Sequence, residues 1–227
     1  MQALINVLDR GAVRLVDRYG DDLRIVNFAR ASFGKEKTSL EDGDAKLIHF
    51  LMRNRHGSPF EAVDFTFHVK APLCVVREWQ RHRIASYNEL SGRYVELEPE
   101  FYVPELPAVR TQVGKPGAYS YRQMDEEAAL RVRIQMMEAY ERAYEQYQTL
   151  LTGGVAKELA RNVLPLGLYT QFYFKTNARA LMNFLSLRNA NNAMYEIQQY
   201  AQAIEQIFEK ETPITYEAFI RNGRVAP

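Results

Sequence analysis

The apolar positions change period several times along the chain. Leu4–Leu8 and Ala12–Val16, with Gly11 between them, predict two short strands of a hairpin. Asp21 and Asp22 then precede Leu23, Val26, Phe28 and Ala29, whose spacing is roughly helical, and acidic residues suit the positive end of a helix dipole. Lys37 to Asp44 is polar and loop-like, and a second helix is expected from Ala45 to Arg55, stopped by Gly57 and Pro59. From Val63 to Lys70 the period becomes two. Val63, Phe65, Phe67 and Val69 alternate with Asp64, Thr66, His68 and Lys70, which predicts a half-buried strand. Pro72 suits the first turn of a helix through Val75, Val76 and Trp79, which delivers Arg81, His82 and Arg83 where helix gives way to loop.

Glu96 to Tyr121 carries four prolines and two glycines and reads as an irregular excursion. A long helix from Met124 to Leu151 follows, with Leu130, Ile134, Met137, Tyr140, Tyr144, Tyr147 and Leu151 as a packing stripe, ended by Gly153 and Gly154. Further on, the pattern predicts a helix from Val155 to Leu164, an aromatic-rich strand from Tyr169 to Thr176, and a helix from Ala178 to Leu187 capped by Asn177. A last long helix is expected from Ala193 to Lys210. Because regular βαβ repetition is missing, the expected fold is α+β: a mixed, largely antiparallel sheet flanked by long helices, as one domain over residues 1–227.

Composition narrows the function classes. A chain of 227 residues, 47% apolar and 25% charged, can bury a sizeable core. Its formal charge of +1 is too small for the broad positive field that non-specific nucleic-acid binding needs, so an anionic partner is expected to be small. Cys74 is the single cysteine, which excludes an intramolecular disulfide and a cysteine-based zinc site; no metal is expected. Charged residues interrupt the apolar stretches near the amino terminus and elsewhere, so neither a signal-peptide core nor a membrane span is expected. These features fit a soluble cytoplasmic protein.

The densest chemistry lies in the fourteen residues Arg81-His-Arg-Ile-Ala-Ser-Tyr-Asn-Glu-Leu-Ser-Gly-Arg-Tyr94. Arg81, Arg83 and Arg93 offer planar forks of donors for phosphate or for the carbonyl edge of a heterocycle. Ser91-Gly92 lets backbone amides approach an anion closely. The same residues admit a structural reading, in which the arginines meet the carboxyl end of a helix dipole and Asn88 with Ser91 builds a turn. Residue chemistry alone leaves both open.

The run resembles the signature of flavin-dependent thymidylate synthases, Arg-His-Arg-x-x-Ser-x-Asn-x-x-Ser-x-Arg-Tyr, at every specified position. The resemblance covers Leu4 to about Phe219. His56-Gly-Ser-Pro-Phe-Glu61, Glu158-Leu-Ala-Arg161 before Leu164-Pro165, and Asn177-Ala-Arg-Ala-Leu-Met-Asn183 through Arg188 are similar to the family's other ligand-binding blocks. It implies reductive methylation of dUMP to dTMP, with 5,10-methylenetetrahydrofolate as carbon donor and FAD reduced by NADPH. It also implies a homotetramer whose sites are shared between subunits. Carried over by position, Glu78, Arg81, Glu89, Ser91, Gly92, Arg93, Arg161 and Arg188 are expected to bind the nucleotide. Flavin contacts are expected from Ser58, Glu61, Arg81, His82, Arg83, Glu89, Asn177, Arg179 and Asn183, with His56 organising the flavin and folate side. Arg188 is expected to be catalytic, stabilising negative charge that develops on the uracil ring, with Ser91 near the reacting carbons as an orienting group.

Two positions depart from the family pattern. Glu78 stands where some relatives have glutamine, and Asn192 stands where relatives usually place a flavin-contacting histidine; Asn192 is expected to substitute as a hydrogen-bonding group. Without the aligned blocks, Arg188 capping carbonyls and a surface pair of Glu158 with Arg161 would be the plainer reading. Cys74, in an apolar Pro-Leu-Cys-Val-Val context, reads as a small buried hydrophobe, and neither a dinucleotide Gly-rich fingerprint nor a P-loop occurs. Two rival functions remain: a flavoprotein of the same ancestry that oxidises reduced nicotinamide without methylating, and a non-enzymatic nucleotide- or RNA-binding module.

Overall fold

The structure, a computed structural model, describes residues 4–116 and 118–227. Strand β1 (Leu4–Val7) turns into β2 (Gly11–Tyr19), the hairpin expected from the sequence, with β2 running three residues beyond Val16 past a bulge between Leu15 and Asp17. Helix α1 (Asp22–Arg30) begins where Asp21 accepts hydrogen bonds from the amides of Leu23 and Arg24, and α2 (Asp44–Arg53) follows the expected loop. A 3-10 turn (Ser58–Ala62) leads into β3 (Asp64–Pro72), and α3 (Leu73–Trp79) starts directly after it, with Pro72 as the last strand residue and N-cap rather than in the first helical turn.

The segment after α3 departs from expectation. Residues 86–89 of the signature run form β4 (Ser86–Glu89), a short edge strand rather than loop. Its pairing partner is β7 (Tyr169–Asn177), with Ser86 opposite Lys175 and Glu89 opposite Phe172. Isolated, this polar run has no strand signature; a partner edge creates it. The excursion also holds structure, since β5 (Arg110–Lys115) and β6 (Ala118–Gln123) pair as a separate antiparallel hairpin. Nearly every residue of that hairpin is exposed, so it lacks the apolar alternation that would reveal it.

Helix α4 (Glu126–Thr152) matches the long predicted helix, capped by Asp125. Its apolar stripe is not packed as expected: among the described residues only Ala129 and Tyr147 are buried, while Leu130, Ile134 and Met137 are 48, 45 and 45% exposed. The helix expected over 155–164 shrinks to one turn, α5 (Lys157–Ala160), continued by a 3-10 turn at Arg161–Val163. Then β7 passes into α6 (Ala178–Arg188), whose N-cap is the predicted Asn177, and α7 (Tyr195–Glu211) and α8 (Pro213–Arg221) close the chain. No helix beyond Lys210 was expected, although Pro213 and Gly223 frame α8 with a start and a stop signal.

The main sheet has the order β1-β2-β3-β7-β4, and each of its pairings is antiparallel. Its inner face carries Phe65, Phe67, Val69, Phe172 and Phe174, all buried against α6 and α7, where Trp79 meets Phe184 at 4.9 Å and Phe172 at 5.3 Å. His68, Tyr173 and Lys175 face away from this core. With β3 pairing Asp64 to Asn177, three junctions meet at one end of the sheet: the entry to β3, the turn before β4, and the passage from β7 to α6. No helix among the described residues is long and apolar enough to cross a membrane.

Candidate active site

Those three junctions enclose a cleft of about 600 Å³. Glu61 reaches it from the 3-10 turn before β3; Arg81, His82, Arg83 and Ile84 come from the turn before β4; Phe174, Thr176 and Asn177 come from β7. Helix α6 presents Arg179, Asn183 and Leu187, four residues apart and therefore on one face, and then Arg188. Ala180, Ala226 and Pro227 complete the lining. Eight residues predicted as site residues thus gather around one cavity: Glu61, Arg81, His82, Arg83, Asn177, Arg179, Asn183 and Arg188.

The turn bearing Arg81–Arg83 is held from below. The Tyr87 hydroxyl donates to the carbonyl of His82 at 2.7 Å and lies 3.2 Å from that of Trp79, and Thr176 Oγ1 donates to the Ile84 carbonyl at 2.9 Å. Burial pushes the Tyr87 phenol up to about 12, so it stays a donor at neutral pH.

Arg188 is the best-fixed cation of the cleft. Its Nε donates to His82 Nε2 at 2.9 Å, its Nη1 to Glu78 Oε2 at 2.6 Å, and its Nη2 to the Glu78 carbonyl at 3.1 Å. Arg188 is 17% exposed and Glu78 44%, so the pair sits at the boundary between protein and solvent. Burial, reinforced by the charge of Arg188, depresses the His82 imidazole to about 4. His82 is therefore neutral near pH 7, and because Nε2 accepts from Arg188 its proton resides on Nδ1. The plainer reading of Arg188 as a cap of its own helix does not hold, for its partners lie 106 and 110 residues away.

A second group of predicted residues lies at the other end of β4, one strand length or about 13 Å along. There Glu89 accepts from Thr170 Oγ1 at 2.9 Å, and Ser91 Oγ accepts from the Arg93 amide at 3.3 Å in a local turn. Gly92 is buried: a Cβ there would fall 2.9 Å from Leu97 and 3.2 Å from the Arg161 side chain, so the lack of a side chain lets Arg161 cross it. Glu158 pairs with Arg93 at 2.9 Å rather than with Arg161. Among the described residues, no hydrogen bond joins Ser91 Oγ to a side-chain base.

Three predicted residues stand apart from both groups. His56 is exposed and packs edge-on against Phe50 at 5.7 Å, Ser58 opens the 3-10 turn at the surface, and Asn192 is exposed in the connection before α7. The lining residues not anticipated are Ile84, Phe174, Thr176, Ala180, Leu187, Ala226 and Pro227. Leu187 was accessible to reasoning, being four after Asn183; the last two carry no local signal.

A cleft with several guanidinium groups, a neutral imidazole and an apolar wall suits a planar heterocycle bearing anionic or carbonyl oxygens. The chain belongs to the flavin-dependent thymidylate synthase family: the family model described as thymidylate synthase complementing protein matches residues 14–214. It is 50% identical over 218 residues to the flavin-dependent thymidylate synthase of Thermotoga neapolitana, covering 96% of this chain and 94% of that one. To the enzyme of the same name from Pseudothermotoga lettingae it is 48% identical over 217 residues, covering 96% and 93%. Among solved structures it resembles the UMP/dUMP methylase PolB from Streptomyces cacaoi bound with 5-Br dUMP, with a TM-score of 0.90, 43% identity, and coverage of 98% of this chain and 100% of that one. The same protein bound with 5-Br UMP gives a TM-score of 0.89 at 42% identity, covering 98% and 99%.

Proposed function

We propose that this protein converts dUMP to dTMP by reductive methylation, with 5,10-methylenetetrahydrofolate as carbon donor and FAD reduced by NADPH, and without a cysteine nucleophile. The observation that carries the reading is the Glu78–Arg188–His82 arrangement at the edge of a cationic cleft. Uracil presents an imide N–H between two carbonyls. Glu78 beside Arg188 offers an acceptor next to donors, the complement of that edge, and a fixed guanidinium stabilises negative charge as it develops on a ring carbonyl. Three of the five N–H groups of Arg188 are engaged by Glu78 and His82, which leaves two for a ligand.

The donor set also fits a flavin. Arg81, Arg83 and Arg179 suit its phosphates and carbonyls, and Ile84, Phe174 and Leu187 provide apolar surface for the ring system. Bound there, the reduced flavin supplies the reducing equivalents. Glu89, Ser91, Gly92, Arg93 and Arg161 take the nucleotide, with backbone amides near Gly92 open to a phosphate. Cys74 is a poor nucleophile, because burial and the nearby Glu196 raise its thiol above the usual range.

The working assembly is a homotetramer, in which residues distant on one chain, His56, Ser58 and Asn192 among them, complete sites on neighbours. The exposed Leu130, Ile134 and Met137 of α4 supply apolar surface for such contacts. All partners are small molecules, dUMP, folate and nicotinamide, and the setting is cytoplasmic. Purified protein is expected to be yellow and to form thymidylate from dUMP, methylenetetrahydrofolate and NADPH under anaerobic conditions. Flavin reduction by NADPH with no thymidylate would instead identify an oxidoreductase of the same fold.

A further inference from the structure

The segment after α8 turns back across the cleft, beyond residue 214 where the family match stops. Gly223 and Arg224 reverse the chain with φ of 67° and 62°, and for Arg224 this left-handed conformation is unfavourable unless contacts hold it. They do. Its guanidinium meets Glu205 of α7 through bonds of 2.6 and 2.7 Å and lies 5.4 Å over the Phe219 ring. Its amide donates to the Phe219 carbonyl at 2.9 Å, and its own carbonyl accepts from Ser186 of α6. Asn222 Nδ2 donates to the Val225 carbonyl at 3.1 Å. The segment is therefore fixed to three helices, and Ala226 and Pro227 come to rest as part of the cleft wall, with Pro227 buried.

What this strap touches in the cleft is Arg179. Nε of Arg179 donates to the Pro227 carbonyl at 2.7 Å, and Nη1 pairs with Glu61 at 2.6 Å. Gly57 bounds the same guanidinium, since a Cβ at that position would fall 2.5 Å from both Cζ and Nε. The φ of −74° at Gly57 is open to any residue, so the position needs the missing side chain rather than backbone freedom. Two of the five N–H groups of Arg179 are thus taken by protein acceptors, and three remain for the cleft. An unrestrained surface arginine must give up rotamer freedom to bind a ligand, whereas a clamped one has already lost it.

We infer that the Arg224–Pro227 strap and Gly57 are positioning elements for the cofactor: together with Glu61 they preset Arg179 as a fixed donor to oxygen atoms of a flavin nucleotide. This rests on the reading of the cleft as the flavin site. The parent protein, the Gly57→Ala variant and a chain lacking residues 226–227 are titrated with FAD, following the quenching of flavin fluorescence, and their thermal midpoints are recorded. The Kd for FAD is expected to rise about tenfold in both variants, the scale of one charge-assisted hydrogen bond, with midpoints within about 3 °C of the parent. Combining Gly57→Ala with Arg179→Ala is expected to add little to Arg179→Ala alone, because both changes act through one side chain.

Unchanged FAD affinity in both variants, or full additivity in the double variant, overturns the inference. If the shortened chain does not fold, Gly57→Ala decides alone. A parent protein that binds no FAD is a different result, which removes the reading of the cleft and the clamp with it.

Discussion

Arg188 and Glu78 limit one another. The carboxylate orients the guanidinium and also offsets its charge, so the pair is a directional donor–acceptor edge more than a bare cation. Arg188→Ala is expected to retain flavin while thymidylate formation falls roughly 10²–10³-fold, the scale seen when a fixed donor to developing charge is removed; unchanged turnover would take Arg188 out of the mechanism. Glu78→Gln keeps an acceptor and is expected to be much milder. His82 carries a pH signature. Its folded pKa near 4 lies below the ordinary 6.5, so the unfolded chain binds more protons between those values. Its contribution to stability is complete above pH 6.5 and lost as pH falls toward 4. Urea midpoints at pH 7 and pH 5 are expected to drop more for the parent than for His82→Gln, and equal drops would contradict a neutral half-buried imidazole. Arg188 and His82 were both expected from sequence to bind ligands, but nothing local reveals that they touch each other across 106 residues.

At the level of elements, legibility follows how much of the signal is local. The period-two pattern of β3, the Asn177 cap of α6 and the length of α4 depend on neighbours in sequence, and each was expected close to where it occurs. Strand β4 depends on the free edge of β7, and the β5–β6 hairpin is exposed along nearly its whole length, so neither has a periodicity of its own. Helix α8 has local signals but owes its start to another element. Asp22 of α1, itself buried, accepts from the Ile214 amide at 2.9 Å, the Thr215 amide at 3.0 Å and Thr215 Oγ1 at 2.6 Å, so a residue 192 positions upstream caps the helix. Asp22→Ala is expected to destabilise the protein by about 2–3 kcal/mol, from a lost cap and unsatisfied buried donors, and to lower the thermal midpoint by roughly 5–10 °C. A midpoint within 1 °C of the parent, on the order of experimental scatter, would show that other contacts set this helix end.

At the scale of the whole molecule, the exposed stripe of α4 is where the proposed assembly can be tested. Ile134→Glu places a charge in that stripe and is expected to yield a smaller species by sedimentation, with thymidylate formation lost but the chain folded by circular dichroism. An unchanged sedimentation coefficient would remove α4 from the interface. The sequence by itself determined the fold class, most helices and strands, and the chemistry: the Arg81–Tyr94 run, the Asn177–Arg188 block and the resemblance they carry all reside in short contiguous stretches. Only the tertiary structure decided which of those residues share a cavity. Glu61, His82, Arg179 and Arg188 converge because β3, β4 and β7 are neighbours in one sheet, and the tail reaches Arg179 because Glu205, Ser186 and Phe219 hold a turn that its own residues disfavour. Hydrogen bonds between distant positions leave no periodicity in the chain, so strand order and the path of the last residues could not be read from it.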